Sequence, residues 1–331
     1  ETPSGEDSPP VTATNSESAA HGRSNTLGRI AFLVITAGCF TYLYYRLNGA
    51  ATREGSSLVE YMTQVFSHVR WLPWLGLMVV YSGFYFLIDT LVVTRALNWF
   101  VKPIRYSDIL PIRASAYIIS VFNEQIGKGA MAFYLNKRYQ VPGWEVTSAM
   151  LFIMFSEIFY LLTWATVGFG LSRNSLPEVF GLIPYITLGG TAAFVLWILY
   201  FRQKILPENQ LRNLQIVHAF RVATLKHYGL FFLFRSPALL AAVLVYTLAL
   251  RLFGVDASFL SLLGYLPIIF FAAAVPTPMR ATAITLWVVL FPENEGQMAA
   301  FGFVQHNFFI LFNALIGVVF WTRTQRELFG R

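Results

Sequence analysis

Long apolar runs alternate with shorter polar loops along the chain, and six of the runs are long enough to cross a lipid bilayer. A transmembrane helix needs about 20 predominantly apolar residues to cross a hydrocarbon core about 30 Å thick. The pattern therefore predicts an all-α integral membrane protein with about six full transmembrane helices. The predicted spans cover residues 29–47, 71–94, 146–171, 179–201, 236–255 and 298–322.

Two further apolar stretches are interrupted near their centres by polar residues. The first stretch, residues 109–136, is broken at residues 123–129, which read NEQIGKG. The second stretch, residues 258–291, is broken at residues 276–280, which read PTPMR. Irregular backbone is tolerated at membrane depth only where protein or a water-filled cavity surrounds it. Paired interruptions in the two halves of a membrane protein are therefore typical of a binding site.

Lysine and arginine residues collect in three polar segments, which the positive-inside rule places in the cytoplasm. These segments are the loops 95–113 and 202–235 and the tail 323–331. With both loops inside, the stretch 109–136 must enter and leave on the cytoplasmic face, and the stretch 258–291 on the outer face. The sequence therefore predicts two re-entrant helical hairpins of opposite orientation. The alternative, eight plain spans, would place the basic loop 202–235 outside.

The pattern also divides the chain into a folded domain and two tails. Residues 1–28 are rich in small and polar residues and contain few bulky apolar ones, which predicts a disordered N-terminal tail. Residues 29–322 form the transmembrane domain, and residues 323–331 form a cytoplasmic tail. Within residues 208–230, apolar and basic residues alternate near helical spacing, which predicts an amphipathic helix lying in the cytoplasmic interface. The alternative for that segment is a solvated loop.

Composition narrows the possible partners. Only 12% of the residues are charged, about half the share in a soluble domain. The net charge of +7 comes from residues in loops between apolar runs, so anionic lipid headgroups are the expected partners and nucleic acid is not. The single cysteine, Cys39, excludes an internal disulfide and a cysteine-based metal cluster.

Sequence signatures of catalysis are missing. The chain has no Cys/His metal-binding spacing, no GxSxG motif, no Walker A motif and no GxGxxG after a strand. We therefore expect neither an enzyme nor a cofactor or metal site, although a catalytic triad brought together by folding would leave no such motif.

The first interruption offers a contact for an anion. Glu124 and Lys128 are four residues apart and would face each other on a helical turn. They would either contact a ligand or only neutralise one another. Gly127 and Gly129 allow a tight turn with exposed backbone N–H groups, which attract anions. Lys128 is therefore a candidate phosphate contact, with Asn123 beside it at the tip.

Other ionisable residues at membrane depth need partners, because an unpaired charge there is costly. Glu157 lies in mid-span, and Lys128 or Arg280 is its expected partner, with a purely structural ion pair as the alternative. Arg280 follows two prolines and is a natural bidentate phosphate donor, unless it snorkels to the interface. We expect Asp89 to pair with Arg95. Arg251 is expected to snorkel and His306 to be a hydrogen-bonded core histidine.

These residues resemble the lysylphosphatidylglycerol synthase transmembrane region, also called the flippase-like integral membrane family. The resemblance covers about residues 29–322. In the second segment the family has a Pro-x-x-Pro-Gly-Gly-x-Gly turn followed by an acidic residue. Here 276–278 read PTP, 279–282 read MRAT in place of the glycines, and no acidic residue follows. In the first segment the family has an asparagine near the tip, a glycine-rich polar turn, a helix that ends in a basic pair, a small residue followed by proline, and then a glutamate in the membrane. The matching residues here are Asn123, Gly127-Lys128-Gly129, Phe133-Tyr134-Leu135-Asn136-Lys137-Arg138, Val141-Pro142 and Glu157.

The resemblance implies a function and a location. Relatives translocate or present lipids, including aminoacylated phosphatidylglycerol, hopanoids and polyprenyl-linked sugars. It implies that this chain binds, and translocates or presents, an anionic phospho- or polyprenyl-linked lipid at a central site between the hairpins. The expected location is the bacterial inner (plasma) membrane, with both termini cytoplasmic. The aminoacyl-transferase domain fused to some relatives has no counterpart in these 331 residues. The predicted lipid-binding residues are Asn123, Glu124, Gly127, Lys128, Gly129, Glu157 and Arg280.

A function from another class remains open. The chain would instead be a non-catalytic structural or accessory subunit that packs against partner subunits of a larger membrane complex. A stoichiometric partner that survives detergent would favour this second function.

Overall fold

Six long apolar helices and two pairs of shorter helices build the fold, and the described residues contain no strand. The computed structural model describes residues 14–121, 124–173, 178–202, 210–275 and 277–329. Within these ranges the side chains of residues 14–29, 124–126, 128, 172, 178–179, 211 and 323–329 are not described. The prediction of an all-α membrane protein with six full spans is confirmed. The long helices are α1 (Thr14–Arg53), α3 (Trp71–Phe100), α6 (Gly143–Ser172), α7 (Ile183–Phe201), α10 (Leu225–Leu252) and α13 (Glu295–Phe329).

The two interrupted stretches form helix pairs. In the first pair, α4 (Tyr106–Ser120) is followed by α5 (Glu124–Tyr139). In the second, α11 (Phe259–Ala274) leads through a 3₁₀ turn at Pro278–Arg280 into α12 (Ala281–Leu290). A helix of about 16 residues is only about 24 Å long, which is shorter than the hydrocarbon core. Each pair therefore turns back within the membrane domain, as predicted.

The fold repeats itself in two halves that pack reciprocally. The halves are α3–α6 and α10–α13, and in each a long helix, a short pair and a second long helix follow in the same order. Helix α3 packs against its counterpart α10. The first arm of each pair packs most extensively on the last helix of the other half, α4 on α13 and α11 on α6. Between the start of α3 and the start of α10 the chain crosses the membrane three times, through α3, α6 and α7. Because this number is odd, α3 and α10 begin on opposite faces and the two halves run in opposite directions, as in an inverted repeat.

Small residues make both reciprocal contacts possible. A Cβ atom added to Gly168 of α6 would overlap the backbone of Gly264 on α11. A Cβ atom added to Gly317 of α13 would overlap the carbonyl oxygen of Ala114 on α4. Close approach through small residues is how helices associate in lipid, where neighbouring apolar surfaces gain little from the hydrophobic effect.

Helices α1 and α7 lie at the periphery. Only 6% of the most apolar 18-residue window of each is buried, against 44% for α3 and α6. Their exposed apolar side chains, such as Leu33 and Tyr185, suit contact with lipid. The core is therefore built by the two repeated halves.

Two helical segments outside the repeats were not predicted from the sequence. Helix α1 begins at Thr14, inside the tail expected to be disordered, because a helix propagates outward from the apolar span at little cost per residue. Residues 1–13 lie outside the described part. Helix α2 (Leu58–Ser67) was not predicted, although Ser57 and Glu60 form a capping box at its start. The backbone N–H and hydroxyl of Ser57 donate to Glu60 and lower the pKa of its carboxyl.

The predicted amphipathic helix over residues 208–230 is wrong. Two short helices, α8 (Gln210–Asn213) and α9 (His218–Val222), replace it, with a 3₁₀ turn between them, and residues 203–209 lie outside the described part. From Leu225 onward the chain already belongs to α10. Thr224 forms a capping box with His227 there, which starts the long helix earlier than the apolar pattern indicates.

We expect cysteine labelling to place Lys137 and Arg202 on one face of the membrane and Arg173 and Pro292 on the other. The order of the six spans gives this result if both helix pairs turn back within the membrane. The measurement is labelling of single cysteines by an impermeant maleimide in a Cys39→Ala background. Labelling of positions 137 and 292 from the same side would contradict the arrangement.

Candidate functional site

A cavity of about 290 Å³ lies between the two halves, where α3, α6, α10, α11 and α13 meet. Most of its wall is apolar or aromatic, as in small-molecule sites generally. Each helix pair contributes one arginine to it, from α4 and from the turn before α12. The ionisable lining residues are Asp89, Arg113, Glu157, Arg235, Arg280 and His306.

Arg235 joins three helices at one side of this cavity. It is only 9% exposed, and its Nη1 atom lies 3.1 Å from Oδ1 of Asp89 on α3. Its Nε atom lies 3.1 Å from Oε1 of Glu157 on α6, and its Nη2 atom donates to the hydroxyl of Tyr85 at 2.9 Å. A buried charge is tolerated when it is paired and hydrogen-bonded. Arg235 of α10 therefore ties the second half of the fold to the first.

Asp89 also binds the first helix pair. Its Oδ2 atom accepts from Nε of Arg113 at 2.6 Å and from the hydroxyl of Tyr117 at 2.8 Å, both on α4. The predicted pairing of Asp89 with Arg95 is wrong, because the guanidinium of Arg95 lies over the ring of Phe234 instead, 5.4 Å from its centroid. Asp89 is thus shared by two arginines from different halves.

Arg235, which the sequence pattern misplaced, makes an ion pair with Glu157. Of the two expected partners, Arg280 donates to Ala273 instead, and the side chain of Lys128 lies outside the described part, so its pairing with Glu157 stays a prediction. The pattern put Arg235 in a cytoplasmic loop because it precedes Ser236 and Pro237, whereas Pro237 lies inside α10. Two carboxylates at membrane depth, Asp89 and Glu157, were the available signal that buried arginines must lie nearby.

Arg280 lies at a strained turn at the edge of the cavity. Met279 and Arg280 have φ angles of +52° and +58°, a left-handed conformation that costs a non-glycine residue about 1–2 kcal/mol. The guanidinium of Arg280 donates to the carbonyl oxygen of Ala273 at the end of α11. Strained backbone that the surrounding structure holds in place is a frequent property of binding sites.

His306 lines the same cavity from α13. It is 8% exposed and makes no hydrogen bond within the described part of the chain, and its Nε2 atom is buried without a partner. It lies near enough to Arg280 for an electrostatic interaction. The expectation of a hydrogen-bonded core histidine is therefore wrong.

The structure brings together two of the seven residues predicted to bind lipid, Glu157 and Arg280. Gly127 and Gly129 lie inside α5 rather than in a tight turn, because the break between the helices comes earlier, after Ser120. A side chain at Gly127 would overlap Ser120, so this glycine permits the close packing of α4 on α5.

The remaining predicted residues fall outside the described part of the site. Asn123 is not described, and nor are the side chains of Glu124 and Lys128 or the backbone at Pro276. Among the described side chains, Arg113 of α4 is the one through which the first helix pair reaches the cavity.

Comparison of the chain with protein-family models, with curated proteins and with solved structures finds no match. The resemblance to the flippase-like family thus stays a prediction. The findings identify a polytopic, all-α integral membrane protein with a charged cavity between two repeated halves.

Proposed function

We propose that the cavity binds the headgroup of an anionic lipid and that the protein translocates this lipid or presents it to a partner. The observation that carries the proposal is the charge of the cavity. Among the described residues, three arginines line it against two carboxylates, which leaves one positive charge in excess when the imidazole is neutral. A low-dielectric site with excess positive charge favours an anion.

The arrangement of the charges supports a site that is ready for its ligand. Asp89 and Glu157 hold Arg113 and Arg235 in fixed positions, so these guanidinium groups need little reorganisation when an anion enters. Arginine presents a planar fork that matches two phosphate oxygens. Arg280 lies at the turn of the second helix pair and supplies the third guanidinium.

The repeat supports movement of a lipid between leaflets. In transporters with inverted repeats, the site lies between the repeats and opens to either face as one moves against the other. Here the cavity likewise lies between the halves α3–α6 and α10–α13. We place both termini in the cytoplasm on the distribution of lysine and arginine among the loops, and we assign the membrane as a bacterial inner (plasma) membrane on the resemblance to the flippase-like family.

Replacement of Arg280 tests the phosphate contact. We expect Arg280→Ala to lower the occupancy of a co-purified anionic lipid by about tenfold to a hundredfold, the factor for loss of a charged hydrogen bond. Arg280→Lys should cause a smaller loss, because it keeps the charge without the bidentate fork. Native mass spectrometry of the purified protein measures lipid occupancy directly.

Arg251→Ala is the matched control. The side chain of Arg251 is 60% exposed and lies 3.5 Å from the exposed Asp256, away from the cavity. Its removal should leave lipid occupancy unchanged. Equal occupancy in the parent and in all three variants would contradict the proposed site and favour the accessory-subunit function.

A further inference from the structure

Uncharged side chains line the cavity with hydrogen-bonding capacity that the described part of the protein leaves unused. The Nε2 atom of His306 is buried without a hydrogen-bond partner, and the hydroxyl of Tyr81 makes no hydrogen bond to the described residues. Tyr85 accepts from Arg235 but has no acceptor for its own proton among the described residues. Tyr81 is 3% exposed and His306 is 8% exposed, and the buried Nε2 atom of His306 is out of reach of bulk solvent.

These three groups belong to one region of the wall. The ring centroid of Tyr81 lies 6.3 Å from that of Tyr85 and 6.0 Å from that of Phe309. Phe309 lies three residues after His306 on α13, so the two side chains share a face of that helix. Buried polar groups without partners are costly, and a site that contains them gains most from a ligand that satisfies them.

The charge of the cavity limits the kind of anion. The one excess positive charge among the described lining residues matches a phosphodiester, which carries one negative charge. A phosphomonoester carries up to two near neutral pH and would leave one unbalanced. A zwitterionic headgroup would bring a cation into a cavity that already has a surplus of positive charge. The group esterified to the phosphate should therefore be uncharged.

The unused hydrogen-bonding capacity of the tyrosine and histidine side chains indicates which functional groups this uncharged headgroup carries. A tyrosine hydroxyl both donates and accepts, and an imidazole in either protonation state offers at least one N–H donor. Ligand hydroxyl groups, which also donate and accept, use this capacity fully.

We propose that the cavity selects a lipid phosphodiester whose headgroup bears free hydroxyl groups, and that Tyr81 and His306 bind those hydroxyls. This inference rests on the proposed function, because it assigns the headgroup class of the same site.

A competition between probe lipids tests the selection. The detergent-purified protein is mixed with equal amounts of phosphatidylglycerol, phosphatidic acid and phosphatidylcholine of identical acyl chains, and bound lipid is counted by native mass spectrometry. We expect the parent to retain phosphatidylglycerol at least about threefold over each of the others. Tyr81→Phe and His306→Leu should each lower its retention by about threefold to tenfold, the factor for one neutral hydrogen bond.

The controls separate this inference from the proposed function. Tyr44→Phe removes a hydroxyl from an exposed position on α1 and should change nothing. His306→Gln should restore part of the preference, because its amide donates and accepts. Equal retention of phosphatidylglycerol and phosphatidic acid by the parent would overturn the inference while leaving an anion site at Arg280. The inference would also be overturned if Tyr81→Phe and His306→Leu each lost phosphatidylglycerol and phosphatidic acid to the same extent. Retention of neither anionic lipid by the parent would overturn both proposals.

Discussion

Arg235→Ala is expected to leave little folded protein after mild heating in detergent. The substitution removes the guanidinium that pairs with Glu157 and with one oxygen of Asp89, so a buried cluster of charges loses one of its positive members. Loss of one partner of a buried ion pair costs about 3–5 kcal/mol, a large share of the stability of a typical domain. It also removes a hydrogen bond to Tyr85.

The measurement is the fraction of monodisperse protein after heating, followed by size-exclusion chromatography, because membrane proteins often unfold irreversibly. Arg251→Ala lies on the same helix, is exposed, and should behave as the parent. The double variant Arg235→Met, Glu157→Gln should recover much of the loss, since it also removes the charge of the carboxylate that paired with Arg235 and leaves Asp89 paired with Arg113. A double variant as labile as Arg235→Ala would show that charge is not the cause.

Gly168→Val and Gly317→Val are expected to destabilise the protein strongly, each by about 3 kcal/mol, the upper end of the usual overpacking cost. In both cases the new side chain would meet backbone atoms of a short helix, Gly264 of α11 or Ala114 of α4, and backbone cannot move aside as a flexible side chain can. The same heating assay measures the effect.

Gly170→Val is the matched control for Gly168→Val. Gly170 lies two residues further along α6, and a Cβ atom there would meet nothing within 4 Å. This variant should keep the heat resistance of the parent. Equal sensitivity of Gly168→Val and Gly170→Val would mean that the substitution weakens α6 itself rather than its contact with α11.

The sequence predicts those parts of the fold that depend on local properties. Length and apolarity set the six spans, and the polar interruption at 276–280 marks the turn of the second helix pair, whereas most of the interruption at 123–129 lies inside α5. The capping box of Ser57 and Glu60 would have predicted α2 by the same local reasoning.

The candidate site depends on contacts between distant parts of the chain. Arg235 is 78 residues from Glu157 and 146 residues from Asp89, so no local pattern pairs them. A lone arginine next to Pro237 looks like a loop until its partners are known. Glu157 and Arg280 were found because a charge within an apolar stretch stands out by itself.

The reciprocal packing of the two halves also orders events during synthesis. The first helix pair, α4–α5, has its most extensive contact with α13, which is made after every other described helix. At usual rates of translation, on the order of 10–40 s passes between completion of α4 and the start of α13. During that interval the polar face of α4 has Asp89 of α3 as a ready partner, because α3 precedes it. The ion pair between Asp89 and Arg113 thus holds the nascent pair against α3 until the final helix arrives to cover it.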